Sequence, residues 1–286
     1  MSVDTLSVTL RALGFLMLFQ AAGIALFLAL HQHQLRATGP PLRALGVLAA
    51  LIAAMLLIAQ YALEAARMSG ELGGLLDATL QDLVLHSATS VTLSWRLLGL
   101  ALIAWGVRRG GAGGTTAATS GVVILLAAFA FVGHTSNDAR RWLLGPVLIA
   151  HLFAVTFWFG ALLPLCLVSS REPPELRARV VEQFSARAIW LVPGLLLAGI
   201  VLATLLLPNL AALRKPYGEL LIVKVLGFSV LMLLAALNRW RFAPALRRDD
   251  AAAGRRFRYT VAAEYALIAA IVCVTAVLTT FYSPEG

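Results

Sequence analysis

The chain alternates between long apolar runs and short polar segments. Eight of the runs reach roughly the 20 residues that a helix needs to cross the hydrocarbon core of a membrane. They lie at 9–31, 42–66, 80–106, 120–134, 145–169, 187–207, 219–242 and 259–281. The pattern predicts an all-α integral membrane protein that is built as a bundle of eight transmembrane helices.

Composition supports the same class. Of the 286 residues, 60% are hydrophobic and 13% are charged, and the mean hydropathy is +0.86. A soluble domain cannot bury that much apolar surface, so we expect the lipid bilayer to be the main partner of the protein surface.

The net charge of +9 is explained by the orientation of the protein in the membrane, because the Lys and Arg residues are unevenly distributed between the polar segments. Fifteen of the 23 Lys and Arg residues fall in the segments after the first, third, fifth and seventh runs. The positive-inside rule places these segments in the cytoplasm and both termini outside. We therefore expect a multi-pass protein with both termini on the outer side of the membrane, and we do not expect nucleic-acid binding.

We expect one membrane domain, with three spans in residues 1–110 and the remaining five in 111–286. The glycine-rich segment at 108–116 is interpreted as a flexible linker between them. The halves resemble each other faintly: the third and seventh runs carry Arg96 and Lys224, and the first and fifth align through Gly23 and Gly160. This similarity is consistent with a parallel repeat of four plus four helices.

Three histidines are the candidate metal ligands. His134 ends the fourth run and His151 begins the fifth, so antiparallel helices would hold both imidazoles at one depth. His86 lies near the same end of the third run. Trp158 follows His151 by seven residues, on nearly the same helical face and about 10 Å further along. We interpret Trp158 either as the floor of the metal site or as an ordinary packing residue.

Other polar residues support or surround this site. Asp82 and His86 are four residues apart, and a carboxylate bonded to an imidazole strengthens it as a ligand. Acids dominate the segment from Glu64 to Asp82, which is either an ordinary loop or a negative mouth that concentrates cations. Met68 lies within this segment, near the proposed mouth.

Three charges fall inside the predicted spans, where they need partners. Arg96 is expected to form an ion pair, with Asp82 or Glu64 for example, or to act in function. Lys224 either balances charge near a path or closes an ion pair. Glu264 is expected to pair with a cation such as Arg239 or Arg241. At the other end, His31 and His33 are interpreted as a solvated loop, with an inner metal exit as the alternative.

Several stretches, in order, resemble the copper resistance protein D family of bacterial inner-membrane proteins. They are Gly-His at 133–134, the His-x6-Trp-x-Gly-x-Leu-x-Pro-Leu run of 151–165, Phe-Ser at 184–185, Tyr-Gly-x5-Lys at 217–224, Asn-Arg at 238–239, and Glu264. The resemblance is clearest from residue 130 onward, within the second part of the chain.

The resemblance implies eight membrane helices and copper handling between periplasm and cytoplasm. It also implies a small periplasmic copper-binding protein, which is expected to be a separate partner because this sequence holds no such domain. Copper, as Cu⁺ or Cu²⁺, is thus the expected ion. Five methionines are few for a Met-lined path, so imidazole ligands are favoured.

We expect copper transport, with uptake towards the cytoplasm, which contributes to copper homeostasis and resistance. A haem held by two histidines for electron transfer is one alternative. A protein that binds or senses copper without moving it is another. The sequence contains no Ser/His/Asp or Cys/His nucleophile set and no nucleotide-binding loop, so we do not expect an enzyme.

Overall fold

The computed structural model describes residues 2–132, 138–207, 209–246 and 251–282, and within these ranges every regular element is helical. Eight helices are long and apolar enough to span a membrane, as predicted. They are α1 (Val3–His31), α2 (Gly39–Ser69), α4 (Ala88–Arg109), α5 (Gly111–Ala127), α6 (Arg141–Arg171), α7 (Pro174–Leu206), α8 (Pro216–Leu237) and α9 (Ala251–Phe281).

Shorter elements join the spans. The helix α3 (Ala78–Leu85) follows a 3₁₀ turn at Leu72–Leu76, and a second 3₁₀ turn at Ala128–Phe131 extends α5. A third 3₁₀ turn, at Leu210–Arg214, precedes α8, and a π-helical turn at Asn238–Phe242 follows it. A three-residue helical segment, Ala243–Ala245, comes last.

The helices α1 and α6 form the centre of the bundle, where their apolar windows are the most buried of the eight. Both pack against α9, while α2, α4 and α5 cover the remaining side of α1. The helices α7 and α8 are the least buried and lie at the periphery. Arg11 near the start of α1 donates to the carbonyl of Thr279 near the end of α9 at 2.7 Å. We call this side of the bundle the terminal end.

The central pair is held by a glycine contact. A Cβ added to Gly23 of α1 would lie 2.3 Å from the Cα of Gly160 of α6, so only glycine permits this approach. Gln20 donates its side-chain amide to the carbonyl of Gly160 at 3.2 Å. The two glycines that aligned the halves of the sequence thus touch each other across the helix crossing.

The glycine-rich segment is helical, and its interpretation as a flexible linker was wrong. Gly110, which separates α4 from α5, and Gly111, the first residue of α5, both have positive φ (64° and 65°). The other glycines bring the two helices together: a Cβ on Gly106 would meet the carbonyl oxygen of Gly114 at 2.4 Å. The glycines therefore serve close antiparallel packing, and the fourth span begins nine residues earlier than predicted.

Two further boundaries differ from the sequence prediction. The third predicted run is split, because α3 ends before His86 and Ser87 caps α4 by accepting from the backbone N–H of Thr89 at 3.2 Å. The sixth span begins at Pro174, ahead of the apolar run predicted at 187–207. Pro174 occupies the first turn of α7, where proline is tolerated, and α7 continues to Leu206.

Candidate functional site

His151 lies inside the bundle, ten residues and about 15 Å beyond the start of α6. Its ring faces α7, where a Cβ added to Gly199 would be 3.6 Å from Cε1. The carbonyl of Leu195 lies beside the imidazole, but no hydrogen bond of regular geometry reaches Nδ1, which is buried and unpartnered among the described residues. A buried ring nitrogen without a partner is costly, and in the tautomer that leaves Nδ1 unprotonated this nitrogen is available to a ligand.

Lys224 of α8 acts on this ring electrostatically. The two residues come from the fifth and seventh predicted spans, and the structure brings them together. An ammonium group beside the imidazole opposes the binding of a cation there, so Lys224 bears on any metal that His151 holds.

His86 and Asp82 form the local pair that their spacing predicted. Nδ1 of His86 lies 2.9 Å from the backbone carbonyl oxygen of Asp82 and 3.4 Å from its carboxylate. Both side chains are largely exposed, and α3 packs against α2 and α4 at the terminal end. Met68, at the end of α2, is also exposed. This surface is open to an arriving ion.

The described contacts do not bring His86 and His151 together. His134 lies outside the described residues, so its predicted place in the site stays a prediction. Ala130 packs beside Gly145 of α6, since a Cβ added to Gly145 would lie 3.5 Å from the Cβ of Ala130. His151 lies six residues, or about 9 Å, further along α6. Within the described ranges, no three His, Cys, Asp or Glu side chains form a group that could hold a metal ion.

A buried polar network lies deeper in the bundle than His151. Nε1 of Trp158 donates to one carboxylate oxygen of Glu264 at 3.3 Å, and the side-chain amide of Asn238 donates to the other at 2.5 Å. The hydroxyl of Thr260 donates to the Asn238 carbonyl oxygen. Trp158, Asn238 and Glu264 are all buried. The ring of Trp158 is therefore fixed by α9 as well as by its own helix.

The expected pairing of Glu264 with Arg239 or Arg241 was wrong. The π-helical turn directs Asn238 towards α9, while Arg239 donates to the carbonyl and hydroxyl oxygens of Ser185 on α7, at 2.9 and 2.8 Å. Asn238 and Ser185 were visible in the sequence only as parts of short motifs. Their partners depend on tertiary packing, which helical spacing does not reveal.

Arg96 forms no ion pair with the described residues, which differs from the expected pairing with a carboxylate. Its guanidinium lies 4.1 Å from the centre of the Phe129 ring, in a cation–π contact. Glu64 instead pairs with Arg67 at 3.0 Å and lies 3.8 Å from Arg11. Arg96 therefore has a structural contact rather than the predicted carboxylate partner.

At the opposite end of the bundle, the interpretation of His31 as part of a solvated loop was wrong. Its side chain is buried, its ring centroid lies 4.8 Å from that of Phe27, and Arg187 of α7 acts on it electrostatically. Nδ1 of His31 is buried and unpartnered among the described residues, as that of His151 is, and the inner metal exit stays a prediction. His33 is exposed, as predicted.

One acid at the terminal end is held in its charged form. Arg140 lowers the pKa of Asp138, because its guanidinium donates to both carboxylate oxygens at 3.1 and 3.0 Å and its backbone N–H donates at 2.7 Å. Arg140 also donates to the carbonyl of Leu205 at 2.6 Å, which links the start of α6 to the end of α7.

Comparison with known proteins adds information that the geometry does not contain. Residues 1–142 match the family model "Copper resistance protein D-like, N-terminal domain", and residues 178–278 match "Copper resistance protein D". "Copper resistance protein D" of Pseudomonas syringae pv. tomato is 28% identical, over 99% of this chain and 98% of its own length. "Inner membrane protein YebZ" of Escherichia coli is 26% identical over 46% of each chain. No solved structure matches.

Proposed function

Because the chain belongs to the copper resistance protein D family, we propose that it transports copper across the bacterial inner membrane, from the periplasm to the cytoplasm. This activity would contribute to copper homeostasis and resistance. Eight spanning helices and the names of its relatives, one for copper resistance and one for the inner membrane, support the proposal.

The observation that carries the proposal is the imidazole of His151. It lies within a spanning helix, its Nδ1 is buried without a hydrogen-bond partner, and Gly199 leaves space beside it. Imidazole nitrogen binds copper well, and a ligand inside the membrane is more useful for transport than for storage at the surface.

We assign different steps to the three histidines. The exposed His86, oriented by Asp82, captures copper at the terminal end, with Met68 close to the same surface. His134 then shares the ion with His151, and the ion passes inward along the face of α6 that ends at Trp158. A separate small periplasmic copper-binding protein is the expected donor to the exposed surface around His86.

Copper content measured on purified protein tests this assignment. We expect His151→Ala to lower the bound copper and His134→Ala with His151→Ala to abolish it. His33→Ala makes the same chemical change at an exposed position of the opposite end and should leave copper bound. Unchanged copper in the double variant would overturn the ligand assignment.

Two further readouts separate the proposed activity from its alternatives. A Soret band in the purified protein would indicate haem in place of copper. Copper flux into proteoliposomes is expected for a transporter, whereas stoichiometric copper binding with no flux would indicate a protein that holds or senses the ion.

A further inference from the structure

Glu264 is an acid in the middle of a spanning helix. It lies ten residues, or about 15 Å, beyond Gly254, where the apolar span of α9 begins, and it is 3% exposed. Each of its carboxylate oxygens accepts one hydrogen bond, from Asn238 and from Trp158. Both donors are neutral, so the negative charge of an ionised Glu264 is not balanced by them.

The charged and titratable groups around Glu264 do not supply that balance. The Cys166 thiol on α6 interacts electrostatically with Glu264 and with Arg258 of α9, while Arg239 lies in the π-helical turn next to Asn238 and Lys224 lies on α8. Arg258 acts on Cys166, Arg239 donates to Ser185, and Lys224 acts on His151. No cation of the described ranges forms a salt bridge with Glu264.

This environment makes both protonation states of Glu264 accessible. Burial without a cationic partner favours the neutral acid, because an isolated carboxylate is expensive in a medium of low dielectric. Two hydrogen bonds to the oxygens favour the carboxylate and offset part of that cost. A positive ion that arrives nearby therefore shifts the balance towards the carboxylate.

Trp158 connects this acid to the proposed copper ligand. It donates to Glu264, and it follows His151 by seven residues on nearly the same face of α6, about 10 Å along the axis. Electrostatic interactions over this distance are weakly screened in the membrane interior. The π-helical turn adds a second feature, since such turns occur frequently at functional sites and here it presents Asn238 to the carboxylate.

We propose that Glu264 carries the proton that the protein exchanges for copper. The inference rests on the proposed transport function. When copper binds at His151, the neutral acid releases its proton to the periplasmic side, from which copper arrives, and becomes a carboxylate. When copper leaves to the cytoplasm, a proton from that side returns to Glu264. No electron moves in either step.

Proton release on copper binding tests the exchange without requiring transport. Copper is added to detergent-solubilised protein in weak buffer with a pH-sensitive dye, and bound copper is measured in the same sample. Since binding of a metal ion displaces protons from groups that respond to it, we expect Glu264→Gln to release about one proton fewer per copper than the wild type. Glu264→Asp, which keeps a titratable group, should restore the release.

Glu175→Gln provides the matched control, because Glu175 is an exposed acid in the first turn of α7. It should release as many protons as the wild type. Equal release by the wild type and Glu264→Gln, with copper bound to both, would overturn the exchange and leave the transport proposal intact. Failure of the wild type to bind copper would overturn both proposals.

A spectroscopic readout on the wild type covers the case in which the Glu264 variants do not fold. In infrared difference spectra, copper addition should remove the C=O band of a protonated carboxylic acid. A band that persists at saturating copper would overturn the exchange. In proteoliposomes, an acidic lumen should accelerate copper uptake by the wild type and have no effect on Glu264→Gln.

Discussion

Individual charges inside this bundle differ in how they are compensated. Glu64 pairs with Arg67 and Arg11, whereas Arg96 contacts an aromatic ring and its buried Nε has no hydrogen-bond partner among the described residues. Lys224 and Glu264 have no ion pair among the described residues, yet each lies next to a residue of the proposed copper path: Lys224 beside His151, and Glu264 bonded to Trp158. These two charges are therefore placed to respond to an ion on the proposed path.

Removal of the Lys224 charge should strengthen copper binding. Two like charges about 10 Å apart repel by roughly 1.7 kcal/mol at an effective dielectric constant of about 20, which is on the order of tenfold in affinity. We expect Lys224→Gln to lower the copper Kd by about that factor, as measured by competition with a chelator of known affinity.

Lys215→Gln is the control for this variant, because Lys215 is an exposed cation that precedes the first turn of the same helix. Its copper Kd should equal that of the wild type. If Lys224→Gln also binds copper as the wild type does, the ammonium group does not act on the ion, and copper does not bind beside His151.

At the scale of elements, hydropathy predicted how many helices cross the membrane but not where they begin and end. An apolar run reports the part of a helix that contacts lipid. The helices continue beyond it into polar sequence, as α7 does from Pro174 and α9 from Ala251. Glycine composition was misread for a similar reason, since Gly106 and Gly114 serve a helix contact that only the folded chain reveals.

The candidate site was predictable only where it depends on local spacing. Asp82 and His86 are four residues apart on one chain segment, and their contact follows from helical geometry. The partner of Glu264 does not, because Asn238 is 26 residues away and reaches the acid through a π-helical turn. The position of His134 stays a prediction.

The crossing of α1 and α6 provides a test at this scale. A methyl group at position 160 would lie 2.2 Å from the Cα of Gly23, so Gly160→Ala forces the two central helices apart. Overpacking of this kind costs about 1–3 kcal/mol. We expect a lower midpoint of thermal unfolding in detergent, and weaker copper binding because His151 and Trp158 lie on the displaced helix.

Gly194→Ala is the matched control, since a Cβ there meets no atom within 4 Å and Gly194 also lies inside a spanning helix. Replacing a helical glycine with alanine favours the helix by about 1 kcal/mol, so this variant should be as stable as the wild type or more so. If Gly160→Ala unfolds at the same temperature as Gly194→Ala, the glycine contact does not hold the bundle together.

At the scale of the whole molecule, the proposed path lies at the boundary between the core and the periphery. The central helix α6 carries His151 and Trp158, whereas the ring of His151 faces α7 and is acted on electrostatically by Lys224 of α8, and these are the two least buried spans. Helices with few buried contacts move at lower cost than central ones. A shift of α7 and α8 against α6 would therefore make the bound ion accessible from one side of the membrane at a time.

The orientation of the molecule in the membrane decides which side copper reaches first. The basic residues are concentrated at the end opposite the termini, which predicts a cytoplasmic location for that end. In a background with Cys166→Ser and Cys273→Ser, we expect Glu71→Cys to react with a membrane-impermeant maleimide on intact spheroplasts. Gly113→Cys, exposed at the opposite end, should react only after lysis. The reverse pattern would place His86 and the proposed capture surface in the cytoplasm, so the protein would collect copper for export.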